Sequence, residues 1–414
     1  MTTTLYRGSA KNILGPVRVD GIATESIVFE FTDQYSIFDW GQMPNPIPGK
    51  GSALALTASA LFEKLAEPSC WEELSKSKLA LEFRKSAANL ESTTRRNESS
   101  SVGSAINELG EKLKTNAQAT HYLGIAENTD NLESPIKPKA LGEVSNPFNR
   151  ILVAPFAVKK PKAGNVLGKP IYDYSEYQGE SGAKLIPLEF VFRFSFPKGS
   201  SFPSRVKSNS LYFEQVPLAL DSGVEFQSGT EMSFPVLECS TKFETTDRPV
   251  TLSEAVLISG LSTERFEELL IRTAWCGLFL KHEFSKMGIE LADGKIEWGV
   301  SDSGEFVLLD SVGPDEVRIL IDGTQVSKEI LRADYRDSDW YRAVVAAKEQ
   351  IFKSGDLNWK KSVTLAPEKL SSNRLRLVGD MYQSLANGIS GKEIFGNLSE
   401  LKSIAAEIAE GSNE

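Results

Sequence analysis

The residues best equipped for chemistry fall in one stretch, Glu290 to Arg318. It reads Glu-Leu-Ala-Asp-Gly-Lys-Ile-Glu-Trp-Gly-Val, then Ser-Asp-Ser-Gly, then Glu-Phe-Val-Leu-Leu-Asp-Ser-Val and Gly-Pro-Asp-Glu-Val-Arg. Two β-type runs, 293–300 and 305–312, flank a turn composition suited to a hairpin. An even loop sets Lys295 opposite Asp310, Glu297 opposite Leu308 and Gly294 opposite Ser311. Ile296, Trp298, Val307 and Leu309 then form the apolar face, and an odd loop breaks this register. Lys295, Glu297 and Asp310 thus share one side of a ribbon. Two carboxylates a few ångströms apart repel unless something positive lies between them. Mg²⁺ bridging to nucleotide phosphates meets that need, because it keeps only one or two protein carboxylates as ligands. A surface hairpin whose cross-strand Lys–Asp pair contributes under ~1 kcal/mol is the other reading, and the trio alone does not choose between them.

Four further stretches carry charged groups at suggestive places. Leu5-Tyr6-Arg7-Gly8-Ser9-Ala10-Lys11-Asn12 puts a small-residue turn and a lysine between two short strands. Backbone N–H groups and an ammonium could approach a triphosphate there, or the turn could be a plain one. In Ile47-Pro48-Gly49-Lys50-Gly51, the lysine either faces a ligand or sits in solvent. Ile186 to Arg193 is a strand whose alternation puts Glu189, Val191 and Arg193 on one face. Its guanidinium fork suits a carboxylate or phosphate; a buried structural Arg–Glu pair is the alternative. Cys239-Ser240-Thr241-Lys242 offers anion-binding groups and is weak alone.

Regular elements must position these groups. Apolar spacing predicts a strand over 27–32 and a helix over 52–65 with Leu54, Leu56, Ala60 and Leu61 as its stripe. Helices follow over 253–259 and 263–287, the second with Phe266, Leu269, Leu270, Ala274, Leu278 and Phe279 facing a core behind the hairpin. Two more, at 373–387 and 391–410, form a tail. Residues 86–118 are polar and read as a mobile insertion in which Arg95 and Arg96 are solvated. A second insertion, rich in proline and lysine, runs through about 130–180.

At 414 residues the chain can bury a sizeable core in two lobes. A formal net charge of −10 implies no basic face for nucleic acid or anionic membrane. The opening Met-Thr-Thr-Thr-Leu-Tyr-Arg lacks the apolar segment of a signal peptide, and no run approaches a membrane span. Cys70, Cys239 and Cys276 are too scattered for a zinc knuckle or disulfide framework, so a cytoplasmic location is expected. Only two histidines, His121 and His282, are present, which argues against a histidine-rich metal site. The sequence does not fix an oligomeric state.

Taken together, these blocks resemble the SAICAR synthetase (phosphoribosylaminoimidazole-succinocarboxamide synthase) family. Its Ala-Asp-Thr-Lys-Phe-Glu-Phe-Gly, hairpin, Asp-Glu-Val and Pro-Asp-Ser-Ser-Arg are similar in order and spacing to Ala292–Gly299, Asp310-Ser311-Val312 and Pro314-Asp315-Glu316-Val317-Arg318. Its glycine loop resembles 7–11, its Thr-Asp-Arg-Ile-Ser-Ala-Tyr-Asp and Ile-Pro-x-Lys-Gly resemble 32–39 and 47–51, and its Thr-His-Phe strand resembles 120–122. Its Ile-Pro-Leu-Glu-Val-Ile-Val-Arg and Gly-Ser resemble 186–193 and 199–200, and its Ser-Thr-Lys resembles 240–242. Departures are Gln34, Gly294 for a threonine and Ser311 for an acid. There is no clean arginine after Ser200 (Arg205 is nearest), and 334–340 has drifted. The resemblance covers most of 1–345 and leaves the insertions and tail aside.

The resemblance implies a two-lobed α/β (α+β) fold related to ATP-grasp types, with ATP between the lobes. Residues 1–185 would be the nucleotide-binding lobe, 186–356 the substrate and metal lobe, and 357–414 a helical tail. It implies ATP-dependent amide formation: the carboxylate of carboxyaminoimidazole ribotide is activated as an acyl phosphate and attacked by the amine of L-aspartate. Arg7, Gly8, Ser9, Ala10, Lys11 and Glu189 would hold ATP, and Glu297 and Asp310 would hold Mg²⁺. Lys295, Asp310 and Asp315 would serve catalysis; Lys50, Arg193, Ser200, Lys242 and Arg318 would hold substrate. A ligase of the same fold with a different acid and amine, and a non-catalytic nucleotide-binding homologue, remain as alternatives.

Overall fold

The computed structural model describes residues 3–93, 102–127, 132–178, 182–197, 199–208, 229–354 and 358–411. Arg95 and Arg96 lie outside them. Two larger antiparallel sheets make up the fold, and they meet where Lys11 of the first reaches Asp310 beside the second and Thr120 bridges Leu308. The first contains β1 (Thr3–Arg7), β2 (Lys11–Val17), β3 (Ser26–Phe31), β4 (Tyr122–Ile125) and β5 (Arg150–Val153), in the order β1-β2-β3-β5-β4. Between β3 and β4 run α1 (Lys50–Leu65), α2 (Pro68–Lys76), α3 (Lys78–Thr93) and α4 (Val102–Asn116). Helix α1 starts at Gly49, whose φ of 76° suits a residue without Cβ, and Asp33 accepts from the free N–H groups of Gly49 and Gly51 at 3.2 and 2.9 Å.

The reading of 86–118 as a mobile polar insertion is corrected. Ile106, Leu109 and Leu113 of α4 are buried, as are Phe83 and Ala87 of α3, and Trp275 donates its indole N–H to the Ile106 carbonyl at 3.0 Å. The described residues 86–93 and 102–116 are helical, a pattern that composition alone obscures, while 94–101 lie outside the described residues. Within the second expected insertion, β5 is an inner strand of the first sheet, while β6 (Lys162–Val166) and β7 (Lys169–Asp173) form a separate exposed hairpin.

The second sheet contains β8 (Lys184–Ser195), β9 (Glu231–Thr241), β10 (Pro249–Val250), β11 (Glu290–Val300), β12 (Phe306–Leu309), β13 (Val317–Ile321) and β14 (Thr324–Gln325). Its order is β10-β9-β8-β11-β13-β14, with β12 paired to the far end of β11. After the short α5 (Phe202–Ser208) and α6 (Leu252–Ser259), the 23-residue α7 (Thr263–Ser285) backs this sheet with the apolar face the spacing indicates. Trp298 of β11 is fully buried and donates to Thr273 of α7 at 3.0 Å; burying such a side chain contributes about 1.5–3 kcal/mol. Next come α8 (Glu329–Tyr335) and α9 (Asp339–Ser354). The tail holds α10 (Ser372–Ser390), which Gly391 ends in a left-handed turn, and α11 (Leu401–Gly411). The expected helix from 391 therefore begins only at 401.

The hairpin register differs from the even-loop expectation by one residue. Val300 pairs with Phe306, Trp298 with Leu308 and Glu297 with Leu309, across a five-residue odd loop. Val307 and Leu309 consequently lie on the side of Glu297, against Leu185, and Leu308 joins Trp298 in the main core. Gly294 pairs with Val317 and Phe192 and not with Ser311. A Cβ there would lie 2.6 Å from the Phe192 ring and 2.8 Å from Val317, so the packing itself requires glycine.

One continuous apolar core runs from Phe29 in β3 to Ile408 in α11 and joins both sheets. The tail is part of it. Helix α10 lies along α1, with Gln383 donating to the Pro48 carbonyl at 3.2 Å and Lys64 donating to the Ile389 carbonyl at 2.8 Å.

Candidate active site

At the hairpin end of the cleft, β8 and β11 place Glu189 directly opposite Glu297. Both are buried, and such a pair repels unless each finds a cation. Lys295 pairs with Glu189, and Lys242, just past β9, pairs with Glu297. Burial alone would push the Glu297 carboxyl up; Lys242 and Lys295 outweigh it and hold it below the usual value. Burial likewise opposes the charge of Lys295, but Glu189 and Glu297 raise its affinity for the proton above the ordinary lysine range.

From the first sheet Lys11 reaches across to Asp310, and burial brings its ammonium down to about 8. Alternation would carry the Asp310 side chain to the core side with Leu308. Its φ of 68° turns the backbone out of the strand instead. His121 braces that turn: its Nε2 lies 2.9 Å from the Asp310 carbonyl oxygen, so this nitrogen carries the proton and donates. Burial between the rings of Phe29 and Phe62 lowers the imidazole to about 3, so it stays neutral.

The cleft continues into a cavity of about 480 Å³ lined by Arg193, Asp293, Lys295, Arg318 and Arg336, among others. Asp293 holds two guanidiniums. Arg193 Nη1 donates to its Oδ2 at 2.7 Å and Arg318 Nε to its Oδ1 at 2.8 Å, while Glu238 takes the Arg193 Nε. Between the two ends, Lys50 and Tyr382 both donate to Asp315, at 2.8 and 2.7 Å. Burial disfavours that carboxylate, yet Lys50 and Lys328 hold it ionised well below the usual range. Its neighbour Glu316 behaves oppositely: burial and Asp315 push it up to about 7, and its Oε1 accepts from the Ser311 hydroxyl at 2.9 Å.

Lys11, Lys242, Lys295, Glu189, Glu297 and Asp310 therefore converge, and Lys50, Asp315, Arg193 and Arg318 line the adjoining space. Gly8, Ser9 and Ala10 form the β1–β2 turn beside Lys11, where Gly8 N–H donates to the Lys11 carbonyl at 3.0 Å. Arg7 is exposed at its start. Lys295 does not stand opposite Asp310, as expected, but pairs with Val191 of β8, and β12 ends at Leu309. Arg205, the nearest sequence match for a missing arginine, is committed to Glu238 at 2.5 Å.

Sequence reasoning missed Asp247, Asp293, Lys328, Glu329, Arg332, Arg336 and Tyr382. Asp247 lines the cavity, where burial and Glu189 push its carboxyl up to about 7. A recurrence of basic residues every four positions at 328, 332 and 336 was the available signal for α8.

Among the described residues no three or more carboxylate, histidine or cysteine side chains converge as a metal cage. An ion at Glu297 and Asp310 would take its remaining ligands from phosphate and water, as Mg²⁺ does, so the donor set fits. A larger cavity of about 650 Å³ lies beside β7 and α6, where Arg248 is forked to Glu244 and Glu254; it gathers no comparable set of groups.

The SAICAR synthetase family model matches residues 4–136 and 175–348. The putative phosphoribosylaminoimidazole-succinocarboxamide synthase of Archaeoglobus fulgidus is 31% identical over 383 residues, covering 92% of this chain and 93% of its own. The phosphoribosylaminoimidazole-succinocarboxamide synthase of Thermoplasma acidophilum is 28% identical over 227 residues, 52% of this chain and 70% of that one. The solved SAICAR synthase of Saccharomyces cerevisiae, complexed with SAICAR, aligns with a TM-score of 0.49 at 18% identity, over 96% of this chain and 97% of that one. No described helix is long and apolar enough to cross a membrane.

Proposed function

The chain belongs to the SAICAR synthetase family, and from that premise we propose that it is an ATP-dependent ligase joining carboxyaminoimidazole ribotide and L-aspartate to give SAICAR. The observation that carries this reading is the convergence of Lys11, Lys242 and Lys295 with Glu189, Glu297 and Asp310, opening onto the guanidiniums of Arg193 and Arg318. Carboxylates do not condense with amines in water, so the site's task is positioning and charge neutralisation.

In this reading the turn at Gly8, Ser9 and Ala10 admits the triphosphate, and Lys11 and Lys295 leave their carboxylates to face phosphate oxygens. Asp310, so released, and Glu297, once Lys242 turns from it, would hold Mg²⁺, which when bound would draw charge from the transferring phosphoryl group. Arg193 and Arg318, fixed by Asp293, and Ser200 hold the ribotide's anionic groups. Asp315 stays ionised against Lys50 and Tyr382 and accepts a hydrogen bond from the incoming amine. The three cysteines are free, which suits a reducing cytoplasm.

ADP release assayed with Mg·ATP, ribotide and aspartate tests the reading. Release that requires all three supports it; tight ADP binding without any turnover overturns it. A second reading, another acid–amine pair on the same site, is favoured by one observation: the acid expected at 311 is a serine, and a carboxylate stands at 316 within its hydrogen-bonding reach. Repeating the assay with other amino acids separates the two.

A further inference from the structure

The β6–β7 hairpin pairs with neither sheet and lies outside both segments that the family model matches. Its strands join through Leu167 and Gly168, both at positive φ, the two-residue turn that suits a tight ribbon. Every residue of β6 is exposed. A lone ribbon of this kind is marginally stable in water, so it depends on contacts made by one face. Pro170 and Tyr172 are half-buried while Ile171 and Asp173 are exposed. Alternation therefore turns Tyr172 and, two residues on, Tyr174 towards the body of the protein.

Both hydroxyls end on one loop. Residues 242–247 connect β9 to β10. The base is closed where the Thr241 N–H donates to the Arg248 carbonyl at 3.0 Å and the Arg248 N–H to the Thr241 hydroxyl at 3.1 Å. From 243 to 247, among the described residues, Thr245 has the one main-chain N–H with a partner: it donates to the Tyr172 hydroxyl at 3.1 Å. That hydroxyl, having accepted, lies 2.8 Å from Thr245 Oγ1 and donates to it. Tyr174 donates to Glu244 Oε1 at 3.1 Å, and Arg248 forks the same carboxylate. The loop's other side faces the cleft. There Lys242 pairs with Glu297, Phe243 packs on Leu185, Val307 and Leu309, and Asp247 lines the cavity with Lys295.

We propose that the β6–β7 hairpin is a strut: through Tyr172 it sets the position of the loop that delivers Lys242 and Asp247 to the lysine-lined end of the cleft. Tyr172 is thereby a positioning residue for Mg·ATP. The effect on Mg·ATP rests on the ligase reading; the hold on the loop does not. Lys242 has to leave Glu297 when a metal arrives, and a loop held from outside lets it do so without moving the main chain. With the Tyr172 hydroxyl gone, the ligand has to order the loop as it binds, which weakens binding.

The test uses the full chain, hydrogen exchange of peptides spanning 242–248, calorimetric titration of Mg·ADP and a thermal melt of every variant. Tyr172→Phe keeps the ring and removes the hydroxyl. It speeds exchange over 242–248 at least fivefold, weakens Mg·ADP at least fivefold and raises the KM for Mg·ATP about as much, while the ribotide KM and the exchange of β11 stay unchanged. Ile171→Ser, on the exposed face of β7, changes none of these. Replacing 162–173 by Gly-Gly, which the pairing of Lys162 with Asp173 lets the chain span, reproduces the Tyr172→Phe effect. This variant carries the test should the point substitution fail to fold. A Tyr172→Phe protein that melts lower but binds Mg·ADP as the parent does overturns the proposal, because the hydroxyl then only supports the fold. Unchanged exchange over 242–248 overturns it too. A parent that binds no Mg·ADP removes the ligase reading instead, and faster or unchanged exchange in the variant then decides for or against the strut.

Discussion

The two ends of the cleft solve the problem of buried charge in different ways. At the hairpin end the cations are Lys11, Lys242 and Lys295, each paired with one carboxylate. At the far end they are Arg193, Arg318, Arg332 and Arg336, and one carboxylate serves two guanidiniums: Asp293 the first pair, Glu329 the second. An ammonium is a point charge on a flexible stem, so it can move from carboxylate to phosphate when a ligand arrives. A guanidinium forked to an acid is fixed, and its other N–H groups stay aimed at one place. On the proposed reading, the lysine end suits partners that change during a reaction, and the arginine end a group that stays put.

The sharpest way to break this contrast is at the hairpin. Glu297→Gln and Asp310→Asn each remove a charge expected to stabilise the transferring phosphoryl group by several kcal/mol, so turnover falls on the order of a thousandfold while thermal melts show an intact fold. Near-normal turnover in both would dissolve the distinction. Asp293→Asn attacks the other end. Breaking a buried charge network of this kind costs about 3–5 kcal/mol, read as a lower urea midpoint, and the ribotide KM rises because two guanidiniums lose their anchor together.

Between the ends, Tyr382→Phe removes one hydrogen bond to the ionised Asp315, worth about 1.5–3 kcal/mol. A roughly tenfold or greater fall in kcat/KM is expected, with Mg·ADP affinity unchanged; a normal rate would confine Tyr382 to packing. The smallest effect concerns Glu316, pushed up to about 7 by burial and by Asp315. Its folded pKa lies above the unfolded one, so its contribution is fully present below about 4.3 and is lost as pH rises through about 7. Glu316→Gln should therefore raise the urea midpoint relative to the parent at pH 8 and lose that advantage towards pH 5. An advantage independent of pH would contradict the raised pKa.

How much of this was legible beforehand depends on the range of each interaction. Alternation within a strand is local, so the face shared by Lys295 and Glu297, and that shared by Glu189 and Arg193, could be read directly; that β8 and β11 bring the two faces together could not. The hairpin register could not, because the five-residue loop and the left-handed Asp310 depend on contacts from residues 119–121, far away in the chain. Polar composition over 86–118 hid two amphipathic helices, since the apolar positions of α4 gain meaning only against Trp275. Lys50 shows the same limit from the other side. Its loop motif permitted a solvated lysine, and only Asp315 and Tyr382 make it fully buried. Lys328, Arg332 and Arg336 had the right spacing and were passed over because the motif around them had drifted.

The seating of α10 on α1 has a consequence for how the molecule is made. Every residue of α1 except Ser52, Glu63 and Lys64 is buried, and part of that cover comes from a helix synthesised roughly three hundred residues later. At about 5–20 residues per second, a ribosome needs on the order of fifteen to sixty seconds to produce the covering segment. During that interval the growing chain carries a bare apolar helix and, over its last 67 residues, an Asp315 without its tyrosine. The cleft is thus closed by a helix made long after the one it covers. A message cut short before that point yields a product that chaperones must hold, not a weaker catalyst.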